Sequence, residues 1–390
     1  MDRAELSAWL RLVLTPGVGN DTARRLLAAF GLPQAIFGQG SAALQQVVTR
    51  PQASALRTEP EALPALLQAT WDWLHAAESG LPRRVVTLGD ALYPSSLLAT
   101  EDPPLLLHLL GQVQCLEAGW PSRALAMVGS RNPTPQGTQN ARQFAQALSG
   151  AGLCIVSGLA LGIDAAAHEG ALQAIHEATP ADRLTTVAVI GTGIDRVYPR
   201  QHHTLAHRIA RHGLIVSEYL LGTAPLPGNF PKRNRLIAGL SQGTLVVEAA
   251  LQSGSLITAR LASEQGREVF AIPGSIHSPQ SRGAHALIRQ GAKLVETAQD
   301  VLEELRWPAT ATAATGTDSA LPASPSDASG SPGDVAALLQ ALGADPVGLD
   351  ALQARTGLDT ATLQARLLEL ELENRVGRLP GGLFQRLGQA

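Results

Sequence analysis

The chain reads as an α/β protein built on a largely parallel sheet, and two patterns predict this. Short apolar runs end in glycine-rich turns at Val128-Gly-Ser-Arg131, Val156-Ser-Gly-Leu-Ala-Leu-Gly162, Val189-Ile-Gly-Thr-Gly193 and Gly243-Thr-Leu-Val-Val-Glu248. Stretches with helical apolar spacing fill the gaps, an alternation expected of βα units. In such sheets ligands sit beyond the carboxyl ends of the strands. Arg131, Lys232, Arg233 and Arg235 are expected at that edge, beside helix N-termini whose free N–H groups suit phosphate.

Along the chain, residues 1–80 form a helical module. Trp9, Leu10, Leu12 and Leu14 lead into Thr15-Pro-Gly-Val-Gly19, and a second helical pattern runs from Ala23 to Phe30. This fits a helix–hairpin–helix, with glycines in the hairpin and Asn20 or Asp21 capping the next helix. Such a hairpin either holds a DNA phosphate through its N–H groups or serves only as a packing module.

Residues 83–306 form the α/β domain. Val85 to Leu88 and Leu105 to Leu110 read as a strand pair preceding the main sheet. Strands are then expected at about 124–129, 153–157, 186–190, 213–217, 244–248 and 268–272. Helices fall between them, for example Gly137 to Leu148 and Ala165 to Ile175. Residues 307–334, rich in Ala, Thr, Ser, Pro and Gly, read as a flexible linker. Residues 335–390 read as a small domain: a helix from Ala336 to Leu342, a helix–turn–helix over 348–356 and 359–374, and a hairpin wing from Val376 to Phe384. Its second helix carries Glu369, Glu371 and Glu373, which favours protein contact or packing over duplex reading.

Composition bounds the function. With 390 residues and a net charge of −3, the chain holds a substantial core and has no bulk attraction for polyanions. Its charge is uneven: from Ala124 to Asp300 there are 15 Lys and Arg against 11 Asp and Glu. If a polyanion binds, it binds locally, in the middle. Lysine occurs only at Lys232 and Lys293. Cys115 and Cys154 make no disulfide framework, and no metal-ligand spacing is present. The N-terminus lacks a signal-peptide pattern, and no apolar run approaches the roughly 20 residues of a membrane span. A cytoplasmic protein without membrane partners is expected.

Several clusters carry chemistry. Gly129-Ser130-Arg131 closes a strand: glycine permits close approach, serine offers a hydroxyl, and arginine grips phosphate through paired N–H groups. The plain alternative is an ordinary strand-to-helix turn. Gly158 lies in a second glycine turn, which is not a Gly-x-Gly-x-x-Gly fingerprint and lacks a following ribose-binding acid. Asp164 and His168 share a helical face, as an acid/base or metal pair or as a cap and packed polar contact. Phe230-Pro-Lys-Arg-Asn-Arg235 is the strongest cluster. It places an aromatic that stacks on a base beside Lys232, Arg233, Asn234 and Arg235, with Pro231 stiffening a turn. Tyr198-Pro-Arg200 and His202-His203 form a further loop with the same aromatic and basic chemistry. Gly243-Thr-Leu-Val-Val-Glu248 and Ser253-Gly-Ser255-Leu-Ile-Thr258 resemble glycine–threonine turns that hold phosphate or sugar. Glu248 is either an acid or a helix N-terminal residue satisfied by the backbone.

Together these motifs resemble the DprA family (DNA-processing protein A, also called Smf). The marks are Val128-Gly-Ser-Arg131, Ser157-Gly-Leu-Ala-Leu-Gly-Ile-Asp-Ala-Ala-Ala-His168, Tyr198-Pro, Ser217-Glu218, Phe230-Pro-x-Arg-Asn-Arg235, Glu248-Ala-x-x-x-Ser-Gly-Ser-Leu-Ile-Thr258 and Ala271-Ile-Pro-Gly274. The resemblance implies an extended Rossmann-like domain between an N-terminal helix–hairpin–helix, SAM-like module and a C-terminal winged helix. It implies a homodimer that binds single-stranded DNA, protects incoming DNA and loads the RecA recombinase during natural transformation, with no cofactor. By position it assigns Arg131 and the Phe230 to Arg235 segment to the DNA pocket, with Arg200 expected to act similarly. Two other readings stay open. One is a Rossmann-like nucleotide phosphoribohydrolase using Glu248 and Arg131, although its Pro-Gly-Gly-x-Gly-Thr form is replaced here by Leu240-Ser-Gln-Gly-Thr244. The other is an assembly adaptor whose acidic C-terminal domain docks a partner.

Overall fold

The computed structural model describes residues 1–76, 80–176, 179–180, 183–306, 332–343, 346–373, 375–379 and 381–387. The chain opens with α1 (Arg3–Leu14), α2 (Asn20–Phe30), α3 (Pro33–Phe37), α4 (Ser41–Leu44), α5 (Arg50–Arg57) and α6 (Leu63–His75). Leu6, Trp9, Leu10, Leu26 and Ile36 form their shared core, which also closes on Val85, Leu105 and Leu106 of the first two strands. The α1–α2 turn is the predicted hairpin, with Gly17 at φ +76°. The cap differs from the prediction. Gly19 is the N-cap of α2 and makes no side-chain bond. Asn20 instead donates to Asp102 Oδ2 at 3.1 Å, and Asp21 pairs with Arg25 at 3.2 Å. Glycine is tolerated at an N-cap, which releases both side chains for charged partners.

The α/β domain follows as β1 (Arg83–Thr87), α7 (Ser95–Leu98), β2 (Leu106–Gly111), β3 (Ala124–Val128), α8 (Pro135–Gly150), β4 (Cys154–Ser157), α9 (Ile163–Gln173), β5 (Thr186–Val189), α10 (His203–His212), β6 (Leu214–Ser217), α11 (Asn229–Gly239), β7 (Gly243–Val246), α12 (Ser255–Glu264), β8 (Glu268–Ala271), α13 (Arg282–Arg289), β9 (Lys293–Leu294) and α14 (Ala298–Glu304). They build a nine-stranded sheet in the order β1-β2-β6-β5-β4-β3-β7-β8-β9. The strand pair β1–β2 is antiparallel and joins β6 antiparallel; all remaining pairs are parallel. The predicted strands are all present, and the two-residue edge strand β9 is added.

Side-chain alternation along β3 explains the layering. Leu125 and Met127 face a core with Phe144 of α8 and Ile163 of α9, while Ala124, Ala126 and Val128 face a core with Leu236 and Ile237 of α11. Helices thus cover both faces, as a buried parallel sheet requires. The order runs from β3 towards β6 through β4 and β5, then resumes on the other side of β3 with β7. That reversal is a topological switch point, where adjoining loops diverge and leave a crevice.

The small domain comprises α15 (Pro332–Leu342), β10 (Val347–Gly348), α16 (Leu349–Thr356), α17 (Thr360–Leu372), β11 (Val376–Leu379) and β12 (Leu383–Arg386). Its sheet, in the order β10-β12-β11, closes a core of Leu338, Leu352, Leu363, Leu367 and Phe384. This is the predicted helix–turn–helix with a wing. Gly377 of the wing lies against the Pro135 ring at the start of α8. Of the predicted linker, residues 307–331 fall outside the described residues, and 332–334 already belong to α15.

Candidate nucleic-acid interface

A crevice of about 710 Å³ opens at the switch point. It is lined by the turn after β3 (Gly129 to Asn132), by Ala160 and Asp164 after β4, by Tyr198, by the start of α11, and after β7 by Ala250, Gln252 to Ser255, Ile257 and Thr258.

The β3 turn is held from below. Ser130 N–H donates to the Glu248 carbonyl at 2.6 Å, and Ile163 N–H donates to the Ser130 carbonyl at 3.1 Å. The second bond ties the two glycine turns together. Thr134 caps α8 by accepting from Gly137 N–H at 3.0 Å. Arg131 is left exposed, with its guanidinium carbon 5.7 Å from the centroid of the Phe230 ring. Tyr198, 48% exposed, lies 5.5 Å from that ring at an interplanar angle of 37°. An arginine and two aromatics therefore share one wall, an arrangement suited to stacking on bases and meeting phosphate.

The β4 turn is shaped around a buried arginine. Arg233 Nη1 donates to the Val189 carbonyl at 2.5 Å, and the guanidinium lies so near Gly158 that a Cβ there would overlap it. Burial holds the Arg233 pKa down to about 10, with Asp164 opposing that shift. Asp164 Oδ2 accepts from Gly158 N–H at 3.0 Å and from Ala160 N–H at 3.4 Å. Burial pushes its carboxyl up, while Arg233 and these N–H groups pull it back. Between them Leu159 takes a left-handed φ of 55°, and its carbonyl accepts from His202 Nδ1 at 2.9 Å. A non-glycine residue there stores on the order of 1–3 kcal/mol of strain, which the surrounding bonds must outweigh.

The basic segment Phe230 to Arg235 is helical, forming the first turns of α11 rather than the stiffened turn expected. Its side chains therefore diverge. Arg233 points into the domain at 3% exposure, whereas Lys232 is exposed beside the crevice. Asn234 lines the crevice and donates to the Gly254 carbonyl at 3.4 Å. Arg235 makes a bidentate bond to Glu218, at 2.8 and 2.5 Å, and reaches Asp102 at 3.4 Å. Asp102 in turn takes Arg24 of α2 at 2.7 Å. Arg235 is thus a brace between α11, the end of β6 and the helical module.

Ser255 and Thr258 of α12 line the far wall, with Ser255 Oγ 2.7 Å from Ser253 Oγ. Arg200 is exposed on the 3-10 turn after Tyr198, outside the crevice lining. Gly243 stands at the amino end of β7, on the opposite edge of the sheet, where a Cβ would meet Phe270. Its Gly-Thr pair starts a strand and does not cradle a ligand. Glu248 resolves as the helix-terminal alternative: its Oε2 accepts from Thr134 N–H at 2.9 Å, outside the lining. Asp164 and His168 are packed polar contacts, the latter bonded to Thr186 Oγ1 at 2.7 Å. Among the described residues no group of three potential metal ligands occurs. Sequence reasoning missed Gln280, whose Oε1 is 3.5 Å from Ser130 Oγ, and the crevice prolines Pro225 and Pro227. The prolines just ahead of Phe230 were a readable signal, whereas Gln280 lies 150 positions from Ser130 and had none.

Residues 84–306 match the family model described as DNA recombination-mediator protein A. The chain belongs to that family. Residues 322–382 match the winged helix domain of DprA. Protein Smf of Escherichia coli is 42% identical over 309 residues, covering 76% of each chain. The DprA crystal structure from Streptococcus pneumoniae aligns with a TM-score of 0.58 at 36% identity, covering 78% of this chain and 98% of that one. The Helicobacter pylori family member, whose structure is described as showing a unique single-stranded DNA binding mode, aligns with a TM-score of 0.50 at 30% identity, covering 58% of this chain and 97% of that one. No helix among the described residues is long and apolar enough to cross a membrane.

Proposed function

We propose that the switch-point crevice binds single-stranded DNA without catalysing a reaction on it. The observation that carries this reading is the shared wall of Arg131, Phe230 and Tyr198. Stacking on aromatics is tolerant of sequence because every base has a π-face, and it requires unpaired bases. Gly129, Ser130, Gly158, Asn234, Ser255 and Thr258 shape the cradle. Arg131, Lys232 and Arg200 meet phosphates, and Arg233 and Arg235 hold the walls. The solved H. pylori relative, with its single-stranded DNA binding mode, supports this assignment.

On this reading the protein acts in the cytoplasm as a homodimer that protects incoming DNA and loads the RecA recombinase during natural transformation. The family's description as a recombination mediator supports the role. The test is RecA-driven strand exchange on DNA pre-coated with single-strand binding protein. Addition of this protein should relieve the block, and the Arg131→Ala, Phe230→Ala variant should not. Equal relief by both proteins would separate recombinase loading from the crevice.

A further inference from the structure

Beyond Tyr198 the chain passes Arg200 and enters α10, none of whose residues lines the crevice. From Val197 to Ser217 there is no Asp or Glu, in a chain of net charge −3. Within that stretch α10 buries Leu205, Ala206, Ile209 and Ala210. Its outward residues are His203, Thr204, His207, Arg208, Arg211 and His212, and Arg200 is exposed on the turn just before it. At 100° per residue, His203, His207 and Arg211 form one row with Arg208 alongside. The His203 and His207 rings lie 4.5 Å apart, centroid to centroid, tilted by 55°.

Helix stability does not account for this face. Arg211 sits in the last turn, where the macrodipole favours a cation, but Arg208 lies ahead of that turn, outside the reach of the dipole. Acidic groups on the neighbouring elements are already engaged. Glu169 of α9 pairs with Arg142, Asp164 is held by backbone N–H groups, and Asp195 pairs with Arg196 and accepts from Gly222 N–H. Strands β2, β5 and β6, which also pack on α10, carry no acid. Among the described residues Arg208 and Arg211 have no acidic partner.

We propose that the outer face of α10 is a second single-strand binding element that continues the track beyond Tyr198. The imidazole pair stacks on a base, and Arg200, Arg208 and Arg211 meet successive phosphates, repeating the aromatic-plus-arginine chemistry of the crevice. The helix begins five residues after Tyr198 and extends the track by about 15 Å. This inference rests on the crevice reading.

The experiment compares a labelled strand of about six nucleotides, which the crevice alone accommodates, with one of about thirty, across a salt series. In the Arg208→Gln, Arg211→Gln variant the log–log salt slope on the long strand should fall by about 1.4, two phosphates' worth, with affinity at least tenfold weaker at low salt. Short-strand affinity should stay unchanged, and Arg208→Lys, Arg211→Lys should restore long-strand binding. Unchanged long-strand affinity and slope would overturn the proposal while leaving the crevice intact. So would a loss equal on both lengths, or a loss seen only with duplex. Failure of the unaltered protein to bind either strand removes the crevice reading and this one together.

Discussion

At the residue scale, the crevice depends on how two arginines of one helix are spent. Gly158 is fixed by the close approach of the Arg233 guanidinium, which a Cβ would overlap. Gly158→Ala is therefore expected to destabilise by about 1–3 kcal/mol through overpacking, read as a lowered thermal midpoint. It should also weaken oligonucleotide binding, because the displaced guanidinium anchors the β4 turn. A stability equal to that of the unaltered protein would show that Arg233 swings away without consequence. Arg131 and Arg235 should behave oppositely. On the proposed reading, Arg131→Ala should lower the salt slope by about 0.7 at unchanged stability. Arg235→Gln leaves Glu218 unpaired at 11% side-chain exposure, so it should cost about 3–5 kcal/mol and leave the slope unaltered. If Arg235→Gln instead lowered the slope on a stably folded protein, the brace would be a DNA ligand.

At the element scale, α11 is joined to the helical module through Arg235, Asp102 and Arg24. Burial raises the Asp102 carboxyl, but the bonds from Arg24, Arg235 and Asn20 outweigh it and leave the pKa below the ordinary 3.8. A depressed folded-state pKa stabilises at pH above the unfolded value and loses that contribution as pH falls through the folded one. The thermal midpoint should therefore drop more steeply below about pH 4 in the unaltered protein than in Asp102→Asn, measured by calorimetry. Parallel curves would mean that this bridge does not contribute.

The strands were legible as elements because apolar runs bounded by glycine turns carry a local signal. The Arg235 brace was not legible, since its partners lie 17 and 133 positions away and no local pattern connects them. Gly243 misled for a related reason: a Gly-Thr pair looks alike at either end of a strand, and only the register opposite Leu125 places it on the far edge. The basic run misled through its secondary structure. Read as a turn it presents three cations together, whereas as a helix it sends them in three directions. The Asn20 and Asp21 cap failed because charged neighbours competed for those side chains.

At the scale of the whole molecule, two buried imidazoles tie stability to pH. Burial lowers His168 to about 3 and His108 to about 4, from 6.5. The unfolded chain then binds protons below about pH 6.5 that the folded state refuses, so stability is full above that value and falls as pH drops towards 4. Each group removes about 1.4 kcal/mol per pH unit in that window. Denaturant unfolding at pH 7 and pH 5 should show the loss, and His168→Gln should roughly halve it. Equal loss in the variant would assign the acid sensitivity elsewhere.

The molecule holds a switch-point crevice braced on one side by a helical module, and its wing packs on Pro135 at the start of α8. The proposed ligand of this crevice is unpaired DNA. The direct measurement is fluorescence anisotropy of a labelled single strand titrated with the protein across a salt series and competed with duplex of the same length. Binding should be tight and sequence-tolerant, weaken with salt, resist duplex competition and be lost in Arg131→Ala, Phe230→Ala. Binding that duplex displaces as readily as single strand, or that survives in the double variant, would contradict that reading.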